Sequence, residues 1–198
     1  MNPFNRKSKF FNLLSLMMLI LELASCSSMN NDKENNPSFQ IAFLQGEKVC
    51  SSPDLGNNIE TSWQVLQESF PSKVIYTIRL DKIESYNWKD QSITLTNKEA
   101  KEFSDFVSNG SNSSLICPYA FLVLVDETPT YGGQIVFYQS PQRFQFPVIY
   151  IQSEDDRVRL LLRPYHSVLQ IEPNDPAWQI IKDENIKKIM SDSNKLEE

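Results

Sequence analysis

The stretch that most constrains the fold is residues 119–125, YAFLVLV, an unbroken run of apolar side chains. Such a run, rich in aromatic and branched residues, is typical of a strand buried on both faces. We therefore place it centrally in a sheet. Residues 134–138 are expected to return as its antiparallel partner, after a turn over residues 126–133 that holds the chain's only pair of adjacent glycines, Gly132 and Gly133.

Two or three helices are predicted from apolar spacing and capping residues. Side chains at helical spacing, ended by Pro71, predict the first: Ile59, Trp63, Leu66 and Phe70. Asp175 and Pro176 occupy the favoured cap and first-turn positions of another helix, further along the chain. The side chains that we expect to face inward there are Trp178, Ile181, Ile186 and Ile189.

The clearest helix signal begins at Thr96. Thr96 and Glu99 form a capping box, in which Thr96 accepts from the N–H of Glu99 and the Glu99 carboxylate accepts from the N–H of Thr96. One apolar helical face follows, made of Ala100, Phe103 and Val107. Residues 109–110, Asn-Gly, supply the stop.

Apolar and β-branched runs bounded by turn residues predict the remaining strands. They cover residues 73–80, 92–95, 147–152 and 157–162, and residues 39–44 are a further candidate, as are residues 167–171 for an edge strand. Residues 153–156 are expected to form the turn of a hairpin. The sequence therefore predicts an α+β domain, with a mainly antiparallel sheet of five to seven strands and two or three helices.

The first residues of the chain have a different composition. Arg6, Lys7 and Lys9 give a basic start, and residues 10–21, FFNLLSLMMLIL, form an apolar run. A membrane-spanning helix needs about 20 predominantly apolar residues, so this run is too short. A basic flank, a short apolar core and small residues in that order are typical of a secretory signal peptide.

The tetrapeptide Leu23, Ala24, Ser25 and Cys26 follows the apolar run. It resembles the lipobox of bacterial lipoprotein precursors, in which an aliphatic and two small residues precede a cysteine. The resemblance implies that a signal peptidase recognises Leu23, Ala24 and Ser25 and cuts before Cys26, which carries acyl chains (palmitate or similar). Two or three chains together make a durable membrane anchor. The alternatives are a plain cleaved signal with an unrelated cysteine, or an uncleaved hydrophobic segment.

This interpretation divides the chain into four parts. They are a signal peptide (1–25), the lipidated cysteine with a flexible tether (26–38), a single α+β domain (39–190) and a frayed, charged tail (191–198). Removal of the signal peptide takes 19 basic and 25 acidic residues to 16 and 24, a net charge of −8. Because nucleic-acid binding depends on cationic side chains, we expect no nucleic-acid partner, and membrane attachment through the acyl chains alone.

Two cysteines remain once Cys26 is assigned to lipid. Cys50 and Cys117 form an even pair in an exported chain, which favours a disulfide. Such a bond would stabilise the fold by about 4 kcal/mol on the chain-entropy model. The alternative is two buried free thiols. We expect no metal site and no cofactor, because two cysteines and the single His166 lack zinc-ligand spacing.

The sequence contains no recognisable catalytic constellation. His166 is expected to face solvent or to form a local hydrogen bond, and no G-x-S-x-G elbow occurs. In RVRLLLR, the side chains of Arg157, Arg159 and Arg163 share one strand face with Leu161. This basic ridge would suit a carboxylate-rich partner, such as another envelope protein or a cell-wall polymer. The alternative is an exposed face whose arginines pair with neighbouring acidic side chains.

The sequence therefore predicts a lipid-anchored protein of the bacterial cell envelope with a non-catalytic binding or structural domain. In a Gram-negative host, the expected location is the outer membrane, facing the periplasm. The alternative is a membrane-tethered hydrolase acting on an envelope polymer or peptide. That enzyme would need a concave site joining His166 or two facing carboxylates.

Replacing the lipidated residue tests the anchor. Cys26→Ser should abolish incorporation of radiolabelled palmitate and leave uncleaved precursor, because acylation on sulfur precedes cleavage in the lipoprotein family. The measurement is metabolic labelling followed by gel analysis of the precursor and the mature form. Continued labelling with normal processing would contradict the lipobox assignment.

Overall fold

The computed structural model describes residues 38–45, 59–111, 120–136, 145–154, 156–167 and 169–198. The predicted lipidation site, peptidase recognition residues and disulfide pair lie outside these residues: Leu23, Ala24, Ser25, Cys26, Cys50 and Cys117. These assignments therefore stay predictions. Within the described ranges the chain forms nine strands and three α-helices, which confirms the α+β class.

The strands are β1 Phe39–Leu44, β2 Val74–Arg79, β3 Ile83–Asn87, β4 Ser92–Leu95, β5 Ala120–Val125, β6 Thr128–Ile135, β7 Val148–Glu154, β8 Arg157–Arg163 and β9 Leu196–Glu197. The helices are α1 Ile59–Ser69, α2 Asn97–Ser111 and α3 Glu184–Asp192. Two 3₁₀-helices cover Leu80–Lys82 and Pro176–Ile180.

All nine strands belong to one sheet, in the order β2-β1-β5-β6-β7-β8-β4-β3-β9. Six neighbouring pairs are antiparallel, whereas β6 pairs with β7 and β3 with β9 in parallel, so the sheet is mixed. The prediction of five to seven strands was therefore too low. It missed β3, whose register shifts between Ile83 and Ser85 and blurs the alternation of its side chains, and β9, which has only two residues.

The helices cover both faces of the sheet. Phe103 of α2 packs against Phe43 of β1, with ring centroids 5.3 Å apart. Leu66 of α1 packs against Ala42 and Leu44, which alternate with Phe43 along β1 and so point to the other face. Strand β5 is buried on both faces, as its apolar run predicted.

The two adjacent glycines lie within β6, so the prediction of a turn over residues 126–133 was wrong. The actual turn is Asp126-Glu127, with positive φ angles of 49° and 64°. A Cβ atom added to Gly133 would lie 1.6 Å from the carbonyl oxygen of Pro147, and one on Gly132 would lie 2.6 Å from that of Phe121. Glycine is needed here because the neighbouring backbones approach so closely.

The helix predicted from Asp175 is in fact two helices. Asp175 caps the 3₁₀-helix as expected, accepting from the N–H of Ala177 at 2.8 Å. Asp183 then caps α3, accepting from the N–H groups of Asn185 and Ile186 at 2.7 and 3.3 Å. The predicted inward-facing side chains are all buried: Trp178, Ile181, Ile186 and Ile189.

Two other predictions for this part of the chain were wrong. Residues 167 and 169–171 do not form a strand. The tail, residues 191–198, is not frayed, because β9 pairs with the edge of β3. The backbone N–H of Tyr86 donates to the carbonyl of Lys195 at 2.7 Å, which satisfies edge groups of β3.

The capping box forms only in part. Thr96 Oγ1 accepts from the N–H of Glu99 at 3.4 Å, as predicted. The N–H of Thr96 donates instead to the carbonyl of Lys82 at 3.0 Å. The Glu99 carboxylate is therefore available to accept from Tyr76 Oη at 2.7 Å and from Lys82 Nζ at 3.0 Å.

Glu99 thus joins α2 to β2 and to the 3₁₀-helix that follows β2. Its side chain is 2% exposed, so its charge depends on these two donors. Burial, followed by the hydrogen bond to Glu99, raises the pKa of Tyr76. The hydrogen bond and charge of Glu99 raise the pKa of Lys82. The three groups form one charge-assisted network.

Removing the buried charge tests this network. We expect Glu99→Gln to lower the free energy of unfolding by about 1–3 kcal/mol. The amide NH₂ of glutamine would face the hydroxyl of Tyr76 or the ammonium of Lys82, which are themselves donors. The matched control is Glu102→Gln on the same helix, whose side chain is 49% exposed and lies 3.9 Å from Lys82. It should change stability by less than about 1 kcal/mol. Equal effects in urea unfolding would contradict the assignment.

Two buried tyrosines predict how stability responds to alkali. Burial raises the pKa of Tyr86 and of Tyr131. Tyr86 Oη also donates to Gln91 Oε1 at 2.7 Å, a bond that only the neutral phenol can make. In the unfolded chain both phenols ionise near about pH 10. The folded state therefore holds more protons above that pH, and stability must fall as pH rises.

We expect full stability from these groups below about pH 10 and a loss of about 1.4 kcal/mol per pH unit per tyrosine above it. Urea unfolding measured across this range gives the slope. Tyr131→Phe should make the decrease of stability with pH less steep by about 1.4 kcal/mol per pH unit, whatever it does to stability at neutral pH. An unchanged slope in both Tyr86→Phe and Tyr131→Phe would show that these phenols ionise in the folded protein.

Candidate binding site

The predicted arginine ridge lies on β8, whose side chains alternate as expected. Val158, Leu160 and Leu162 are buried, and the intervening residues are not. The arginines have different surroundings, however. Arg157 is exposed at the end of the hairpin, opposite Glu154 in the register of β7 and β8.

Arg159 is paired within the protein. Its Nη2 lies 2.5 Å from Asp90 Oδ2, and its Nε donates to Ser92 Oγ at 2.9 Å. Ser92 Oγ donates in turn to Asp90 Oδ1 at 2.6 Å. A neighbouring acidic side chain thus compensates the charge of Arg159, as the alternative interpretation of the ridge proposed.

Arg163 belongs to a different arrangement, at the corner where β8, the β3–β4 turn and α3 meet. Its Cζ lies 5.6 Å from the centroid of the Trp178 ring. Lys182 Nζ lies 5.6 Å from the same ring and 6.0 Å from that of Trp88. Lys187 Nζ lies 5.1 Å from the Trp88 ring. These five residues alternate cation and aromatic ring, and we call them the cation–tryptophan ladder.

The guanidinium of Arg163 is held by backbone carbonyls as well as by the ring. Its Nη1 donates to the carbonyl of Asp90 at 2.8 Å and to that of Leu162 at 2.7 Å. The backbone of the β3–β4 turn thereby fixes one end of the ladder. A cation over an aromatic ring is worth about 0.5–1 kcal/mol at an exposed site, so the three cations are held moderately.

Trp88 is positioned by two segments that are distant in sequence. The backbone N–H of Trp88 donates to the carbonyl of Glu197 in β9 at 2.9 Å. Its carbonyl accepts from Gln91 Nε2 at 2.7 Å, and Gln91 is fully buried and bonded to Tyr86. The residues predicted to be a frayed tail therefore help to hold one ring of the ladder.

Trp178 is positioned by the 3₁₀-helix. Trp178 is 9% exposed, and its Nε1 donates to the carbonyl of Glu172 at 2.9 Å. Asp175, which caps this helix, also accepts from Tyr165 Oη at 2.7 Å. That bond, and then the bond from the N–H of Ala177, lower the pKa of Asp175, so the cap stays charged.

The ladder brings three cations together on an acidic protein, whose net charge is −6. Within the described ranges, neither Lys182 nor Lys187 forms a salt bridge. Their ammonium groups keep donors that the aromatic rings do not use. This corner can therefore accept an anionic group.

Sequence reasoning missed four of the five ladder residues. Trp178 is predicted to face the core, and Trp88, Lys182 and Lys187 are not singled out by any pattern. The spacing of Trp178 and Lys182, four residues apart, was the only local signal. Nothing in the sequence indicated that Trp88 would lie beside them.

His166 is buried, 6% exposed, and so does not face solvent. Its Nδ1 lies 2.6 Å from the hydroxyl of Tyr150 on β7. The two rings are in edge contact, with centroids 5.7 Å apart. The partner of this histidine therefore comes from strand β7.

A surface groove of about 580 Å³ lies elsewhere on the domain. Its lining combines both charges with polar and apolar residues: Ser38, Phe39, Gln40, Arg79, Leu80, Asp81, Glu127, Ser193 and Lys195. We call it the N-terminal groove, because Ser38 and Phe39 begin the described chain. Lys195 Nζ donates to the carbonyl of Ile83.

Metal sites and membrane-spanning helices were sought among the described residues. No three His, Cys, Asp or Glu side chains there are grouped to hold a metal ion. No helix among those residues has the length and apolarity to cross a membrane.

No protein-family model matches this chain, and comparisons with curated proteins and with solved structures give no match.

Proposed function

We propose that this chain is a lipid-anchored protein of the bacterial cell envelope, whose domain binds an anionic partner through the cation–tryptophan ladder. The anchor is supported by the lipobox resemblance ending at Cys26. The binding activity is supported chiefly by one observation, the row of three cations at the corner of β8, the β3–β4 turn and α3. Two of these cations, Lys182 and Lys187, have no salt bridge to a described residue.

The acidic character of the whole protein does not oppose this function. The Debye length at physiological ionic strength is about 8 Å, so exposed acidic residues farther away are largely screened. A partner that contacts the ladder directly interacts with its nearby cations. Local charge therefore decides whether an anion binds there.

The chemistry of the ladder favours a partner that carries carboxylates or similar anions, such as an acidic envelope protein or a cell-wall polymer. Each tryptophan ring already has a cation of this chain beside it. A partner would therefore contact the ammonium and guanidinium groups of the ladder. Electrostatic contacts at an exposed rim chiefly change the association rate and weaken with salt. Binding should therefore be salt-dependent.

Charge removal in the ladder tests the function. The double variant Lys182→Gln with Lys187→Gln should reduce capture of the partner about tenfold, if each ion pair with the partner contributes about 0.7 kcal/mol. The measurement is crosslinking in intact cells, followed by mass spectrometry of the captured partner. The matched control is Lys188→Gln, an exposed residue on α3, which should leave capture unchanged.

A circular-dichroism melt of each variant shows whether it is folded. Equal loss in the double variant and the Lys188→Gln control would reject the ladder as the binding surface. Recovery of the monomer alone, under several crosslinking chemistries, would reject the binding function. Cleavage of the captured partner would instead indicate the membrane-tethered hydrolase.

A further inference from the structure

The N-terminal groove lies where the described domain begins. The N–H of Ser38 donates to Asp126 Oδ1 at 2.8 Å, and the N–H of Asp126 donates to the carbonyl of Ser38 at 3.0 Å. These two hydrogen bonds fix the start of β1 against the turn between β5 and β6. Glu127 in that turn has a φ of 64°, and its side chain lines the groove.

The groove carries charges of both signs that are not paired with each other. Arg79, Asp81 and Glu127 are exposed. Within the part of the chain that the structure describes, their side chains form no hydrogen bond or salt bridge. Arg79 stands opposite Gln40 in the pairing of β2 with β1, so a strand fixes the position of its backbone.

These charges select the class of ligand. A simple anion would meet Arg79 and Lys195 but also two carboxylates, and a simple cation would meet those carboxylates but also the two basic side chains. A small zwitterion satisfies both signs at once. Guanidinium groups bind phosphate oxygens bidentately, whereas carboxylates accept from a primary ammonium, which has three donors.

We propose that the N-terminal groove binds the phosphoethanolamine headgroup of a membrane lipid. Arg79 contacts the phosphate, and Asp81 and Glu127 accept hydrogen bonds from the ammonium. The volume of about 580 Å³ lies within the range of small-molecule sites. The apolar side chains of Phe39 and Leu80 line the same groove and accompany the carbon atoms of the headgroup.

The lipid, rather than a free phosphoethanolamine, is the source favoured by position, and this step rests on the proposed anchor at Cys26. The groove adjoins Ser38, and residues 27–37 separate Ser38 from the anchor. Acyl chains on Cys26 would hold the chain at a bilayer, whose surface is built from lipid headgroups. Headgroups are then its most concentrated zwitterionic neighbours.

The test uses the full chain, purified in a detergent that is not a phospholipid. Isothermal titration with glycerophosphoethanolamine measures headgroup binding. Glycerophosphocholine is the matched ligand, because its quaternary ammonium carries the same charge but has no N–H donor. Arg79→Gln and Glu127→Gln test the groove, and Arg157→Gln is the control, because it removes an exposed guanidinium from the end of the β7–β8 hairpin.

We expect at least tenfold weaker binding of the choline compound, and a similar loss in Arg79→Gln and Glu127→Gln, with Arg157→Gln unchanged. Phosphatidylethanolamine should also be retained selectively when the protein is extracted from mixed-lipid vesicles. Equal affinity for both headgroups, or equal loss in Arg157→Gln, would overturn the assignment. Binding of the free compound without lipid retention would overturn the lipid as the source.

The outcome can be separated from that of the proposed function. Headgroup titration involves neither Lys182 nor Lys187, and a Cys26→Ser chain can be titrated in the same detergent. If the wild-type chain binds the headgroup but takes up no palmitate, the anchor is rejected, and with it the lipid source. A labelled, partner-capturing chain that binds no headgroup would reject the groove alone.

Discussion

The pairing of β6 with β7 is the contact on which the single sheet depends. In the order of the sheet, it joins the four strands β2-β1-β5-β6 to the five strands β7-β8-β4-β3-β9. Its register nevertheless contains only Gln134 with Val148 and Ile135 with Ile149. The N–H of Gln134 donates to the carbonyl of Pro147 at 3.1 Å, directly beside Gly133. Any side chain at Gly133 would collide with that carbonyl, so the close approach requires glycine.

The local parts of this fold could be predicted from the sequence, and the joins between them could not. Strand β5, helix α1 and the β7–β8 hairpin each follow from the pattern of apolar residues, and from the turn or helix-ending residues, within one short stretch. The β6–β7 and β3–β9 pairs bring together segments that carry no signal for one another. The adjacent glycines were assigned to a turn because their role, close packing against Pro147, is defined by another strand.

The same distinction applies to the candidate site. The ridge on β8 was predicted because its three arginines lie on one strand, where alternation alone fixes their face. Which charges remain for a partner depends on other strands and turns, since Asp90 compensates Arg159 and carbonyls hold Arg163. The ladder draws its five residues from three separate segments, so only the assembled fold reveals it.

The order of the strands has a consequence for the speed of folding. Only the hairpins β3–β4, β5–β6 and β7–β8 join strands that are close in sequence. The pairs β1–β5, β4–β8 and β3–β9 require long loops to close before any contact is gained, which gives a high contact order. We therefore expect the hairpins to form early and the complete sheet to assemble on the slow timescale of nonlocal β topologies. Until then, Arg163 and Trp88 remain apart from the other three residues of the ladder.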